Sequence, residues 1–195
     1  MSFRKEKKNN IITKALNYNS VKNFTFVSLQ LKQKNTINMS NLMGKPAPAF
    51  TLFDTEKKAV NLADYKGKNV VVLFFPLAFT GVCTTELCSI RDNIGTYNAA
   101  NAVVLGISVD SLFTLGKFKE EQKLNFSLLS DFNKSAIADY GVKYDVFPAF
   151  EMQGVSKRAA FVVDKEGVIQ YEEICATPGD LPNFEPIQTT LNKLN

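Results

Sequence analysis

The residues Val70 to Phe75 form an unbroken apolar run that is β-branched at its start. A strand without polar alternation is buried on both faces. A chain built round such a strand must cover a sheet from two sides, which directs it to an α/β architecture. Pro76 ends the run. Leu87, Ile90, Ile94 and Tyr97 then recur at three- and four-residue intervals, the period of an amphipathic helix. Ala102 to Val109 reads as a second buried strand.

The flanking segments fill in the order. Phe50-Thr51-Leu52 is a short strand, with Ala59-Val60-Asn61-Leu62 as its hairpin partner. Leu112, Leu115 and Phe118 mark a helix, Phe126 to Leu129 a strand and Ser135 to Tyr140 a short helix. Ala159 to Val163 and Val168 to Ile174 are strands joined by the turn Asp164-Lys165-Glu166-Gly167. Pro182 to Leu194 closes the chain as a helix, capped by Asp180 or Asn183. The late hairpin makes the sheet mixed. The expected fold is α/β and thioredoxin-like: a central mixed β-sheet flanked by helices, with an N-terminal β extension.

The 195 residues suit one domain. Residues 1–38 hold eight Lys or Arg and one Glu, a net of +7, while residues 39–195 carry a net of −3. The basic balance thus belongs to a leader rich in Lys and Asn, and residues 39–195 form the domain. The leader reads as a disordered extension, or as the product of an upstream start codon with true initiation at Met39 or Met43. Phe24 to Leu31 is too polar for a signal-peptide core, and a single Arg is a weak match to an organelle transit peptide. No basic stripe interleaved with aromatics marks a nucleic-acid surface, and no apolar run approaches the ~20 residues of a membrane span.

The three cysteines Cys83, Cys88 and Cys175 are odd in number and sparse, which points to a reducing, cytoplasmic setting rather than a disulfide framework. There is no histidine. Cys-His and Ser-His-Asp catalysis and His-ligated metals are therefore excluded. Any activated nucleophile must draw on a helix terminus or a distant Arg or Lys.

Cys83 meets the first condition. It falls in the first turn of the helix that follows Pro76, where unpaired N–H groups and the helix dipole favour an anion. Thr80, three residues earlier, carries a hydroxyl able to accept from a backbone N–H and donate to sulfur. Pro76 fixes the chain leaving the strand and could shield the sulfur. Against this stands the reading of Cys83 as a small core residue near the apolar stripe of Leu87.

Pro76, Thr80 and Cys83 match the signature Pro-x-x-x-Thr-x-x-Cys, and the segment from Phe74 to Leu87 resembles the peroxiredoxins. It is similar to the alkyl hydroperoxide reductase E and bacterioferritin-comigratory-protein groups. The resemblance runs from Gly44 to about Leu194. It implies a thiol-dependent peroxidase that reduces hydrogen peroxide and organic hydroperoxides through a Cys83 sulfenic acid. Cys83 resembles the peroxidatic cysteine, Thr80 the hydroxyl that orients the peroxide and Pro76 the shielding proline. Glu86 matches the acid three positions after the cysteine; the alternative is a solvated acid. Arg158 matches the arginine that faces the thiolate; the alternative is a surface residue opening a strand. No metal, flavin or haem cofactor is implied. The partners implied are a hydroperoxide, thioredoxin or another thiol reductant, and a second copy in a homodimer.

The resolving thiol stays open among Cys88, Cys175 and an external thiol. On a regular helix Cys83 and Cys88 lie ~8–9 Å apart at Cα, beyond the ~7 Å reach of a disulfide. Direct bonding needs the first turns to unwind. A thioredoxin-type dithiol oxidoreductase would want Cys-x-x-Cys, which is absent. A holdase or binding module would leave Cys83 dispensable. Three cysteines without paired short spacings are a poor zinc site.

Overall fold

The computed structural model describes residues 41–195, so the expectations for residues 1–38 and for the boundary at 39 lie outside the described residues. The strands are β1 (Thr51–Asp54), β2 (Ala59–Asn61), β3 (Asn69–Phe74), β4 (Ala102–Ser108), β5 (Ser127–Ser130), β6 (Ala159–Val163) and β7 (Ile169–Ile174). The helices are α1 (Gly81–Asp92), α2 (Ile94–Ala99), α3 (Leu112–Glu121), α4 (Ser135–Asp139) and α5 (Phe184–Lys193). A 3₁₀ turn spans Leu62–Tyr65.

The strands form one seven-stranded sheet in the order β2-β1-β5-β4-β3-β6-β7. β3, β4 and β5 are parallel, and the outer pairings are antiparallel. β3 lies inside the sheet, between β4 and β6, and every residue of it is buried. Its side chains alternate between two cores, as the strand period requires. Val71 and Leu73 face α1, α2, α3 and α5 through Leu87, Ile90, Tyr97, Leu115, Phe118 and Ile187. Val70, Val72 and Phe74 face the opposite side, where Ile137 and Tyr140 pack. The mixed sheet with helices on both faces is the expected architecture.

Three expectations need correction. The periodicity of Leu87, Ile90, Ile94 and Tyr97 predicts one helix, but the helix is interrupted at Asn93. Its amide side chain donates to the Ser89 carbonyl at 2.8 Å and its backbone leaves the α region, so an Asn competes locally with the ladder. The apolar face carries on in phase into α2, which is why the pattern did not reveal the break. Leu62 leaves β2 to open the 3₁₀ turn. The segment 141–158, for which no element was expected, folds back on itself through the isolated bridges Lys143–Ser156 and Val146–Gln153. At its tip Phe150 and Glu151 are both left-handed, at φ 62° and 52°. Asn183, one of the two expected caps, accepts from the Glu185 amide at the start of α5.

Candidate active site

The site forms where β3 ends and α1 begins, at the carboxyl edge of the parallel strands, the usual ligand position in such sheets. Between them the chain makes a tight turn. Phe79 adopts φ 62°, a conformation unfavourable for a residue with a Cβ. Its ring packs on Phe118 at 5.1 Å between centroids, and the Ala78 amide donates to Asp110 at 2.8 Å. Those two contacts hold the strained turn in place. Asp110, itself bonded to the Ser108 hydroxyl at 2.8 Å, was not singled out from the sequence. Its only sequence mark is that it follows a buried strand.

Cys83 is the third residue of α1 and is 1% exposed. It sits where the helix N-terminus offers unpaired N–H groups and positive potential. Arg158, immediately before β6, reaches it from the strand next to β3. Arg158 Nη2 donates to Cys83 Sγ at 3.4 Å and to the Pro178 carbonyl at 3.0 Å. Arg158 Nη1 donates to the Glu86 carboxylate. Both partners are buried, at 1% and 0% exposure. The two surface alternatives, Glu86 as a solvated acid and Arg158 as a surface residue opening a strand, are thus both corrected. Glu86 lies one turn after Cys83, so the helix presents acid and thiol to one guanidinium.

The electrostatics follow from burial and contact. Burial pushes the Glu86 carboxyl up to about 7, against the opposing charge and hydrogen bond of Arg158. Burial alone would lower Arg158, but Glu86 and then Cys83 hold its guanidinium above the ordinary value. A buried pair of this kind loses much of its Coulomb gain to desolvation, so its presence is weak evidence for a purely stabilising role.

Thr80 is the N-cap residue of α1, but its hydroxyl does not cap the helix. The expectation that it accepts from a backbone N–H is corrected: it donates to the Leu77 carbonyl at 2.9 Å. Thr80 also lines the cavity at the cysteine. That cavity has a volume of about 290 Å³. Pro76, Thr80, Cys83 and Arg158 line it, and so do Phe147, Phe150 and Met152 from the segment 141–158. The last three were not foreseen, because no periodic pattern or turn signal places that segment over the cysteine.

The structure therefore brings Pro76, Thr80, Cys83, Glu86 and Arg158 together. Cys88 and Cys175 stand apart from the cavity lining. Cys88 Sγ approaches Gln122 Oε1 at 3.6 Å and accepts from Arg91 Nη1 at 3.4 Å. Cys175 pairs through its backbone amide with the Arg158 carbonyl at 2.9 Å. Burial, with Glu173 and Glu86 adding to it, pushes the Cys175 thiol up to about 11. All three cysteines are free thiols. Among the described residues no group of side chains is arranged to hold a metal ion, and no helix is long and apolar enough to cross a membrane.

The sequence profile of the AhpC/TSA family matches residues 43–172. The chain belongs to the AhpC/TSA family. It is 40% identical over 150 residues to peroxiredoxin-2 of Bos taurus, covering 72% of this chain and 70% of that one. Solved structures agree. Peroxidoxin BcpB from Mycobacterium tuberculosis superposes with a TM-score of 0.69 at 26% identity, over 78% of this chain and 97% of that one. The reduced 2-Cys peroxiredoxin of Plasmodium vivax gives 0.69 at 28% identity, over 78% and 81%. As an AhpC/TSA member with a peroxiredoxin fold, the chain is a thiol-dependent peroxidase, an oxidoreductase.

Proposed function

We propose that Cys83 is the thiol through which this peroxidase reduces hydrogen peroxide and organic hydroperoxides. The single observation that carries the reading is the contact of Arg158 with Cys83, made by a guanidinium that Glu86 and the Pro178 carbonyl brace in place. A histidine-free chain thereby has a fixed cation at its buried thiol.

In the step proposed, the Cys83 thiolate attacks the terminal oxygen of ROOH. The S–O bond forms as the O–O bond breaks, and the RO⁻ leaving group takes a proton to give an alcohol or water. Cys83 is left as sulfenic acid. Arg158 faces both the sulfur and the cavity, so its charge is in place for the negative charge that spreads from sulfur to oxygen. Thr80 is placed to accept the peroxide's O–H through the lone pairs its own donation leaves free. Buried Pro76 limits water at the sulfur. Glu86 positions Arg158.

Cys88 is the resolving thiol in this reading. Its sulfur attacks the Cys83 sulfenic sulfur, the S–S bond forms, the S–O bond breaks, and hydroxide leaves with a proton as water. Cys175 suits the role poorly, because burial pushes its thiol up to about 11, further from ionisation than an ordinary cysteine. Thioredoxin or another small thiol reductant would then reopen the disulfide. A second copy of the chain as partner is supported by Phe150, 88% exposed where it lines the cavity, and by Phe79, 50% exposed in the turn before α1. Residues 39–195 carry the activity in a reducing, cytoplasmic setting.

The test is peptide mapping without reductant after one equivalent of hydrogen peroxide. Oxidation confined to Cys83, as a sulfenate or as a disulfide to Cys88, supports the assignment. A Cys83 that remains a free thiol while peroxide persists overturns it.

A further inference from the structure

Each of the two cysteines of α1 accepts from its own arginine, Cys83 from a buried one and Cys88 from one that is 27% exposed. Arg158 touches Cys83 Sγ at 3.4 Å and is braced by a carboxylate, Glu86, and a backbone carbonyl, that of Pro178. Arg91 touches Cys88 Sγ at 3.4 Å through Nη1. It too is braced by a carboxylate: Nε and Nη2 donate to the two oxygens of Asp92 at 2.8 and 3.1 Å. It too is braced by a carbonyl: Nη1 donates to the Gln122 oxygen at 2.6 Å. The Asp92 carboxylate is largely exposed, at 62%, so the Gln122 carbonyl is the contact that directs the N–H group meeting the sulfur.

We propose that Arg91 is a positioning residue for the second half of the reaction, holding Cys88 as the stationary partner and supplying its counter-cation during disulfide formation. The inference rests on the reading of Cys88 as the resolving thiol.

The anchoring is one-sided. Besides the guanidinium on Gln122, the Arg91 carbonyl accepts from Asn125 Nδ2 at 3.2 Å, and the Cys88 thiol itself points to Gln122 Oε1. All of these contacts tie the C-terminal half of α1 to the segment that follows α3. Cys88 and Arg91 lie three residues apart on that half, so their contact persists if only the first turns of α1 open. Cys83 therefore travels to Cys88, and not the reverse. Arg91 is placed to balance a negative sulfur until the S–S bond forms. At that point the S–O bond of the sulfenic acid breaks, and the departing hydroxide takes up from solvent the proton that Cys88 released, leaving as water.

The experiment follows the two steps separately in the full-length reduced protein. The chain has no tryptophan, so rapid quenching with an alkylating agent and peptide mass spectrometry are used. After one equivalent of hydrogen peroxide, Arg91→Gln should lose the Cys83 thiol at the wild-type rate. It should form the Cys83–Cys88 disulfide about tenfold more slowly, the weight of one charge-assisted hydrogen bond. Arg91→Lys, which restores the charge without the fork, should recover part of that loss. Disulfide formation at the wild-type rate in Arg91→Gln overturns the inference. If the wild type forms no such disulfide, the resolving assignment of Cys88 fails instead. Iodoacetamide labelling of Cys88 in a Cys83→Ser background then reads Arg91 directly. Slower labelling with Arg91→Gln sustains the activating contact, and equal labelling removes it.

Discussion

Arg158 donates to the sulfur of Cys83 at 3.4 Å although 75 positions separate the two residues in the chain. The contact exists because β3 and β6 are antiparallel neighbours, with Phe74 opposite Ala159. Arg158 precedes Ala159, so its side chain leaves the sheet at the edge where β3 gives way to the cysteine turn. The sheet register thereby sets the distance between the guanidinium and the sulfur.

Replacing Arg158 by Met should slow Cys83 oxidation by about 10²-fold, the usual loss for one preorganised donor. It should also destabilise the fold by about 1–3 kcal/mol, because the buried Glu86 carboxyl loses its hydrogen-bond partner. Arg158→Met with Glu86→Leu should regain most of the stability and none of the rate. Quench-flow for the chemistry and urea titration for the stability separate the two effects. Equal recovery of both in the double variant would contradict the assignment.

The Glu86 carboxyl gives a pH signature of defined sign. Its folded-state value is raised from 4.5 to about 7 by burial. The folded protein therefore binds this proton more tightly than the unfolded chain does. The associated stability is fully present below about pH 4.5 and is lost as pH rises through about 7. Glu86→Gln, which cannot titrate, should flatten that part of the stability profile between pH 4.5 and 7. Urea unfolding at half-unit pH steps measures it. A profile that keeps its slope in the variant would place the titration elsewhere.

The parts of this site that were legible in the sequence are those written locally. The apolar run before Pro76, and Thr80 and Cys83 at fixed spacing after it, lie within a single strand-turn-helix unit. Short-range physics places that unit at the carboxyl edge of a sheet. Arg158 came from family resemblance, because nothing near residue 158 states which strand it will border. Asp110 and the Pro178 carbonyl share that obscurity: each acts through a backbone group or a neighbour fixed only by the tertiary fold. Phe147, Phe150 and Met152 were hidden for a different reason. Their segment is held by two isolated bridges and left-handed residues, which carry no period. The break at Asn93 was hidden because Leu87, Ile90, Ile94 and Tyr97 stay in phase across it.

Cys175 should behave as a spectator. With its thiol at about 11 and 7% exposure, it should resist iodoacetamide at pH 8 while Cys88 is labelled, and react on unfolding. Cys175→Ser should keep its turnover with a thioredoxin-type reductant. Mass mapping of the labelled protein checks the first statement, and a coupled peroxidase assay the second. A large loss of turnover in Cys175→Ser would return this residue to the candidates for resolution.

Disulfide formation between Cys83 and Cys88 requires the first turns of α1 to open, since a regular helix keeps them ~8–9 Å apart. The residues there make opening easy. Thr80 spends its hydroxyl on Leu77 and leaves the helix without a side-chain cap, a loss of about 1 kcal/mol. Gly81 opens the helix. The hydroxyls of Thr84 and Thr85 donate back to the carbonyls of Thr80 and Gly81 at 2.8 and 3.0 Å, a habit that weakens helices slightly. Thr84→Ala with Thr85→Ala should therefore strengthen the turn by about 1 kcal/mol from propensity. Disulfide formation should then slow by about fivefold while Cys83 oxidation proceeds unchanged. Hydrogen exchange supplies the structural counterpart: on oxidation, protection should fall over residues 82–87 and persist at Ile90 and Arg91, where the anchor to Gln122 and Asn125 holds. Protection lost along the whole of α1 would mean that Cys88 moves as well, and that the hinge lies at Asn93.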